Sequence, residues 1–463
     1  MKVKIKNLGV LKQAEFTLGD LTILCGSNNT GKTYATYALF GFLQTWNKML
    51  SIKIQDDKIR QLLAEGVTHI DVLEYAAQTG PIFVAGCQAY TKQLPKIFAT
   101  SKERFTETEF QVILDTKDIQ IMGEVDRQMS SGNFDTRLFS ISNSEDSTDL
   151  VITLLIEKEK VRIPTNLIEE VIVDSLQDII WANLLPRPFI ASAERTGVAI
   201  FRKELNFARN RLLEAMSQTD KKVNPMELLS KNYQDYALPI KTNVDFTQQL
   251  EGIIKQSSFL AEKHPEVLDH FADMSGGKYI VTSNDELYYM PTGKEIKLTM
   301  GESSSAVRSL LDLGFYLRHI AQPGDLLMVD EPELNLHPEN QRRIARLLAR
   351  LVNLGIKVFI TTHSDYIVKE LNTLIMLNHD KPHLKRIAEV EGYQPEELMS
   401  SDKVKVYIAE EALVRLDGNT EPTKCQTLTP ADIHPELGIE IRSFDTTIET
   451  MNRIQETIVW GGE

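Results

Sequence analysis

Gly26-Ser27-Asn28-Asn29-Thr30-Gly31-Lys32-Thr33 decides the reading of this chain, because its spacing is that of the phosphate-binding loop G-x-x-x-x-G-K-[ST]. The residues before it, Leu21-Thr22-Ile23-Leu24-Cys25, predict a short buried strand, and those after it, from Tyr34 to Leu43, carry apolar side chains at helical spacing. Gly26 and Gly31 let the backbone wrap closely, so that the N–H groups along Asn28, Asn29, Thr30 and on to Tyr34 point inward at the positive end of a helix. Lys32 supplies a mobile charge for β- and γ-phosphates, and the Thr33 hydroxyl suits Mg²⁺. The bland alternative, a glycine-containing turn matching by chance, loses ground with each motif found downstream.

At 463 residues the chain is too long for one small core and fits a large α/β domain with an insertion, or two to three domains. Lys plus Arg number 51 against 65 Asp plus Glu, and the net charge of −14 argues against a protein that coats nucleic acid indiscriminately. Cys25, Cys87 and Cys425 lie far apart with no C-x-x-C pair, which indicates neither a zinc site nor a disulfide framework. The N-terminus lacks the apolar stretch of a signal peptide, and no run approaches the roughly 18 apolar residues that span a bilayer. A cytoplasmic protein without membrane attachment is the expectation.

Strands are expected around Val3 and Ile5, from Ala14 to Leu18, and from Leu21 into the loop, forming a small antiparallel lobe that leads into a parallel core. Residues 35–100 read as mostly helical, 108–158 as β-containing with a polar linker at Ser130-Ser-Gly-Asn-Phe-Asp, and 166–184 as a helix. Phe201, Leu205, Ala208, Leu212 and Ala215 recur at helical spacing, with Arg202, Lys203, Arg209 and Arg211 read as a solvated face. A helical block at 245–274 precedes three short strands within 278–298, and a helix is expected from Ala306 to Leu317. The last segment predicts a hairpin at Val404-Lys-Val-Tyr-Ile-Ala and Leu413-Val-Arg-Leu, then a helix from Thr446 to Val459.

Leu326-Leu-Met-Val is followed by Asp330-Glu331-Pro332-Glu333, four apolar residues and then acids at a strand's end. Ligands in an open parallel sheet bind at the carboxyl ends of strands. Placed beside the phosphate-loop strand, Asp330 would hold Mg²⁺ through water, and Glu331 would orient or deprotonate the attacking water. Val358-Phe-Ile-Thr-Thr-His363 puts an imidazole at the end of the next strand, within reach of a γ-phosphate; a lone histidine elsewhere would be read as structural. Gly301-Glu302-Ser303-Ser304-Ser305 opens a helix, as an ordinary N-cap or as the grip of a second subunit on the γ-phosphate.

Taken in order, these four segments resemble ABC-type ATPase heads, specifically the compact AAA_15/AAA_21-like group related to OLD-family nucleases and SMC-type repair proteins. Val3-Lys-Ile-Lys-Asn-Leu, Leu-Asn-Leu-His337-Pro338 and Phe189-Ile-Ala-Ser-Ala-Glu-Arg-Thr-Gly197 add to the likeness, which covers most of residues 1–375. The size and the absence of a coiled-coil run look most like the ATPase subunits of PARIS-type anti-phage defence systems. The resemblance implies ATP and Mg²⁺ bound between two chains. It assigns Lys32 and Thr33 to nucleotide and metal, Asp330 to metal, Glu331 to catalysis, His363 to the γ-phosphate and Ser303, Ser304 and Ser305 to the signature segment. Gly-Glu-Ser-Ser-Ser departs from the Ser-Gly-Gly signature, leaving the contacting serine open. A glutamine normally completes the metal shell; Gln61, Gln78, Gln88 and Gln93 remain open, with Glu194 and Arg195 as substitutes.

The expected architecture is an α/β P-loop head divided at 1–100 and 301–375, with an insertion and helical subdomain at 101–300 and a small α+β partner or oligomer region at 376–463. The expected function is an ATPase that senses a phage-encoded trigger and controls a separate TOPRIM-type effector nuclease. A nuclease in its own right is one alternative, weakened because Val390-Glu391-Gly392 is followed by no Asp-x-Asp pair. A DNA-repair or loading ATPase is another, weakened by the net negative charge, although direct nucleic-acid binding through a channel formed on assembly stays open.

Overall fold

The computed structural model describes residues 1–115, 125–130, 137–143, 148–155, 165–202, 236–417, 421–440 and 450–458. The expected linker after Ser130, the helical pattern through Leu205 and Ala215, and both ends of the expected terminal helix lie outside the described residues. Two compact units are present. One comprises residues 1–4, 42–92 and 110–186, and the other residues 5–41, 93–109 and 187–463.

The smaller unit holds a four-stranded antiparallel sheet, ordered Val67–Asp71, Asp149–Leu154, Arg137–Asn143, Val125–Ser130. The first of these strands lies in the stretch expected to be mostly helical. Its inward residues, Thr68 and Ile70, are fully buried, and Ile70 pairs with buried Leu150. Helix Thr165–Trp181 ends in Trp181, whose ring meets Phe83 edge-on at 5.5 Å and whose indole N–H donates to Thr79 Oγ1 at 3.0 Å. Burying so large an aromatic requires such a partner for its N–H.

The larger unit is built on a six-stranded sheet ordered Thr423–Pro430, Val404–Val414, Leu21–Cys25, Lys357–Thr362, Leu326–Asp330, Pro188–Ala191. Its first strand is antiparallel to its neighbour and the others run parallel. Leu21–Cys25, Leu326–Asp330 and most of Lys357–Thr362 are buried at every residue, as expected of strands covered on both faces. Helices Pro338–Asn353 and Asp365–Met376 cover the sheet with Ile344, Leu348, Leu351, Ile367, Leu371 and Leu374, each almost fully buried against Ile23, Val358, Ile360 and Val406. Each such side chain contributes about 1.5–3 kcal/mol of burial free energy. Local sequence sets where these helices begin. His337 caps one with Pro338 in its first turn, and the Ser364 side chain accepts from Ile367 N at the start of the other.

Three expectations are corrected. Leu326–Asp330 is not beside the phosphate-loop strand; Lys357–Thr362 lies between them, registered with both. Pairing Thr362 with Cys25 and Thr361 with Asp330 levels the three strand ends, so both motifs still open on one edge. Pro188–Ala191, from the expected insertion, and the hairpin Val404–Val414/Thr423–Pro430, from the expected C-terminal region, are strands of the same central sheet. The expected turn before Leu413 is corrected as well: Val404–Val414 is one strand, and its antiparallel partner is Thr423–Pro430. Finally, the expected helix from Ala306 to Leu317 is interrupted, running as Ser305–Ser309, Leu311–Phe315 and a π-helical turn Tyr316–Ile320. These short pieces pack Val307, Leu311 and Phe315 against Phe246, Leu250 and Tyr289 in a second core beside the three-stranded sheet of Gly277–Val281, Leu287–Pro291 and Leu298–Thr299.

Candidate active site

The loop between Cys25 and helix Lys32–Met49 wraps as its sequence requires. Gly26 and Gly31 take φ of +139° and +97°, and a β-carbon on Gly26 would lie 2.5 Å from the Ala409 carbonyl oxygen of the hairpin. Only glycine tolerates both the torsion and the approach. Asn29, at φ +63°, adds a left-handed residue at the exposed apex, beside Asn28. The Thr30 hydroxyl donates to Ser27 O at 2.8 Å, and Lys32 Nζ donates to Gly26 O at 2.8 Å and Ser27 O at 2.7 Å. Thr33 faces solvent at the first turn of the helix, next to half-buried Tyr34.

The acids converge on this lysine. Burial lowers the Lys32 ammonium below the usual lysine range, while Glu331, Asp330 and Glu333 pull it back up. Asp330 is 1% exposed; its Oδ1 accepts from the Thr361 hydroxyl on the neighbouring strand, and its Oδ2 has no hydrogen-bond partner. Desolvation pushes the Asp330 carboxyl up to about 6 against the lowering effect of that hydroxyl. Glu331 takes a left-handed φ of +54°, which costs a non-glycine residue on the order of 1 kcal/mol or more. Its N–H, donated to Thr361 O at 3.1 Å, ties it to the neighbouring strand.

His363 stands where the sequence put it, at the end of Lys357–Thr362, with Nδ1 3.7 Å from Glu331 Oε1 and 3.3 Å from Glu333 Oε1. Glu333 also accepts from the His363 main-chain N–H at 2.8 Å and from the Thr362 hydroxyl at 2.9 Å, so it sets the histidine's place. Sequence reasoning quoted Glu333 only as part of Asp-Glu-Pro-Glu and gave it no role. Gln341 was missed as well. It accepts from the Ser364 hydroxyl at 2.5 Å and donates to Leu336 O at 2.9 Å, tying the histidine's turn to the loop after the acids.

A cleft of about 740 Å³ is lined by Gly26, Ser27, Thr30, Glu333, His363 and, from the hairpin, Glu410; Lys32, Thr33, Asp330 and Glu331 are not among the residues lining it. Glu410 and its neighbour Glu411 went unremarked in the sequence because their strand was assigned outside the head. Ser303, Ser304 and Ser305 are not among the residues lining this cleft. Ser304 caps helix Ser305–Ser309 by accepting from Val307 N at 3.3 Å, and buried Ser303 donates to Thr299 O at 2.8 Å.

Glu194 and Arg195 divide sharply. Glu194 accepts from the Tyr37 hydroxyl at 3.0 Å and is near enough to help raise the Asp330 carboxyl. Arg195 is 2% exposed and spends its donors on main-chain carbonyls, which makes it a poor metal ligand and a strong structural tie. Among the glutamines, Gln61 Nε2 donates to Glu65 and Gln78 Nε2 to Glu74 O, both within the smaller unit.

Residues 1–368 match the AAA ATPase domain family. The chain belongs to that family. No curated protein matches it. Among solved structures, this AAA ATPase-domain chain is similar to an Smc head bound to the C-winged helix domain of ScpA, at 12% identity over 92% of this chain and 97% of that one, with a TM-score of 0.31. It is similar also to an Smc head with an extended coiled coil bound to the C-terminal domain of ScpA, derived from Pyrococcus furiosus, at 13% identity over 98% of each chain and a TM-score of 0.31. The SMC head domain from Thermotoga maritima matches at 9% identity over 93% of this chain and 98% of that one, with a TM-score of 0.29. Likeness at that level leaves the assignment to the family match. Among the described residues no helix is long and apolar enough to cross a membrane.

Proposed function

We propose that this chain binds and hydrolyses ATP with Mg²⁺ at a site shared between two copies of itself. The observation that carries the reading is the convergence of Asp330, Glu331 and Glu333 on Lys32 at one edge of a parallel sheet. The residues fit a magnesium nucleotide. Asp330 Oδ2 is a buried carboxylate oxygen without a partner, and hard oxygen donors suit Mg²⁺. Asp330 and Thr33 would hold the metal, whose contribution when bound is to neutralise charge on the phosphates.

The chain's own groups do the rest. Main-chain amides of Asn28 to Tyr34 hold the phosphates, and the Lys32 ammonium exchanges the carbonyls of Gly26 and Ser27 for phosphate oxygens. Glu331 orients the attacking water and accepts its proton, while His363, fixed by Glu333, donates toward the terminal phosphate. Ser303 to Ser305 open the helix Ser305–Ser309 and would serve the site of a second copy, as the resemblance of their segment to a signature implies.

The biological role we assign is that of sensor and scaffold in an anti-phage defence complex that holds a separate TOPRIM-type nuclease and answers a phage-encoded trigger. The support is the motif set shared with that group of ATPases. Expression of the chain with the product of the gene beside it, expected to be a TOPRIM-type nuclease, tests the role. Protection against phage, lost with Lys32→Ala, supports it, and no protection and no co-purifying nuclease would refute it. Hydrolysis is tested separately by phosphate release from ATP and Mg²⁺ by the purified chain.

A further inference from the structure

The guanidinium of Arg195 makes four hydrogen bonds, all to main-chain carbonyls drawn from three separate segments. Nε donates to Ser309 O at 2.8 Å, and one terminal nitrogen donates to Ser192 O at 2.9 Å and Asp330 O at 2.6 Å. The other terminal nitrogen donates to Glu331 O at 2.6 Å. A single cation thus holds the carbonyls of both site acids and the last residue of the helix that follows Gly301–Ser305.

That helix and the serine segment before it form one stiff block. Ser304 caps it, the Ser309 hydroxyl donates to Ala306 O at 2.9 Å, and Arg308 reaches back to Met300 O at 3.0 Å and to Ser303 O. A displacement of the serines is therefore carried to the Ser309 carbonyl. There it meets a planar donor fork that cannot turn toward one acceptor without leaving another. Among the described residues no carboxylate bonds this guanidinium. The acids acting on it from a distance are Asp312 first, then Asp330, Glu333 and Glu331; Asp312 is 1% exposed, one turn past Ser309, with both oxygens free of hydrogen bonds. Facing a diffuse counter-charge, the fork is free to be shared among backbone groups, which a bidentate carboxylate would prevent.

Resting on the shared-site reading above, we infer that Arg195 is a positioning residue that links the two nucleotide sites of a pair of chains. In such a pair the serines of one chain grip the nucleotide held by the other chain's Lys32, while Arg195 joins those serines to the Asp330 and Glu331 of their own chain. Engagement of one nucleotide is thereby transmitted to the acids acting on the second, and hydrolysis is cooperative.

The test compares wild type with Arg195→Lys, which keeps the charge and loses the fork. Wild type is expected to hydrolyse ATP with a Hill coefficient above 1. The variant should bind a fluorescent ATP analogue within about threefold of wild-type affinity and at full stoichiometry per chain, yet lose kcat by about 100-fold and show a Hill coefficient near 1. Stoichiometry is measured so that a misfolded fraction is not counted as a slow enzyme, and Arg195→Gln, expected to be slower still, orders the series. A wild-type Hill coefficient of 1, or a cooperative Arg195→Lys, would overturn the inference while leaving the ATPase reading standing. Absence of any wild-type hydrolysis would overturn that reading instead.

Discussion

Glu333 Oε1 accepts the main-chain N–H of His363 at 2.8 Å and lies 3.3 Å from that residue's Nδ1. One carboxylate oxygen thus fixes both the backbone and the ring of the histidine, from a residue two places beyond the acid expected to act on water. Removing it with Glu333→Ala leaves the His363 N–H and the Thr362 hydroxyl without their acceptor, at a cost of about 1–3 kcal/mol for each buried group. A lower melting temperature is expected, with kcat reduced more than KM. Glu333→Gln, which keeps an acceptor oxygen, should recover most of the stability and only part of kcat.

Lys32→Ala removes the cation on which the three acids converge. Saturating ATP and Mg²⁺ raise a binding protein's stability by about 2.7 kcal/mol at a hundredfold excess over Kd. The wild-type chain should show the corresponding rise in melting temperature, and the variant none. An equal rise in both would remove Lys32 from the site.

Glu331→Gln keeps the shape of the site and takes away the base. Nucleotide affinity should stay within a few-fold, while turnover falls by about 10²–10⁴ as for loss of a general base. ATP should then hold pairs of chains together long enough to be seen by light scattering. Unchanged phosphate release would discharge Glu331 from the role.

Gly26→Ala would drive a methyl group into the Ala409 carbonyl at 2.5 Å, in a torsion that side chains rarely adopt. Overpacking of this kind costs about 1–3 kcal/mol. Both thermal stability and ATP affinity should drop, because the atom displaced belongs to the sheet and the one displacing it to the phosphate loop.

Asp312 gives a pH signature. Burial pushes its carboxyl up to about 7 from the ordinary 3.8, with Arg195 acting the other way. A raised acid pKa means the folded chain binds that proton more tightly than the unfolded one. The group thus costs nothing below about pH 4 and progressively destabilises the fold as pH climbs to 7. Asp312→Asn removes this dependence. The melting temperature of the variant relative to wild type should therefore move upward between pH 5 and pH 8, and a constant difference would refute the account.

The phosphate loop, the strand ending in Asp330 and the strand ending before His363 were legible because each joins an unbroken apolar run to a chemically distinctive terminus. What the sequence concealed was lateral order. Nothing in Leu326–Asp330 says that Lys357–Thr362 will slip between it and Leu21–Cys25, since strand neighbours in a parallel sheet are chosen by crossover packing and not by the strands' own residues. The hairpin's membership was hidden for the same reason; Val404–Val414 alternates like an edge hairpin at its far end, and only its first half is buried beside Leu21–Cys25. Glu333 escaped, and Arg195 was noticed only as a substitute in the metal shell, because much of their work is done on backbone groups, for which a sequence carries no marker.

The strand Leu21–Cys25 is enclosed on its two sides by Lys357–Thr362 and Val404–Val414, both made more than three hundred residues later. During synthesis at the ribosome this mostly apolar segment must therefore wait, without its native neighbours, until nearly the entire chain has emerged. A truncated product lacking those late strands would leave both edges of Leu21–Cys25 open, and pairing delayed so long exposes strand edges to misassembly.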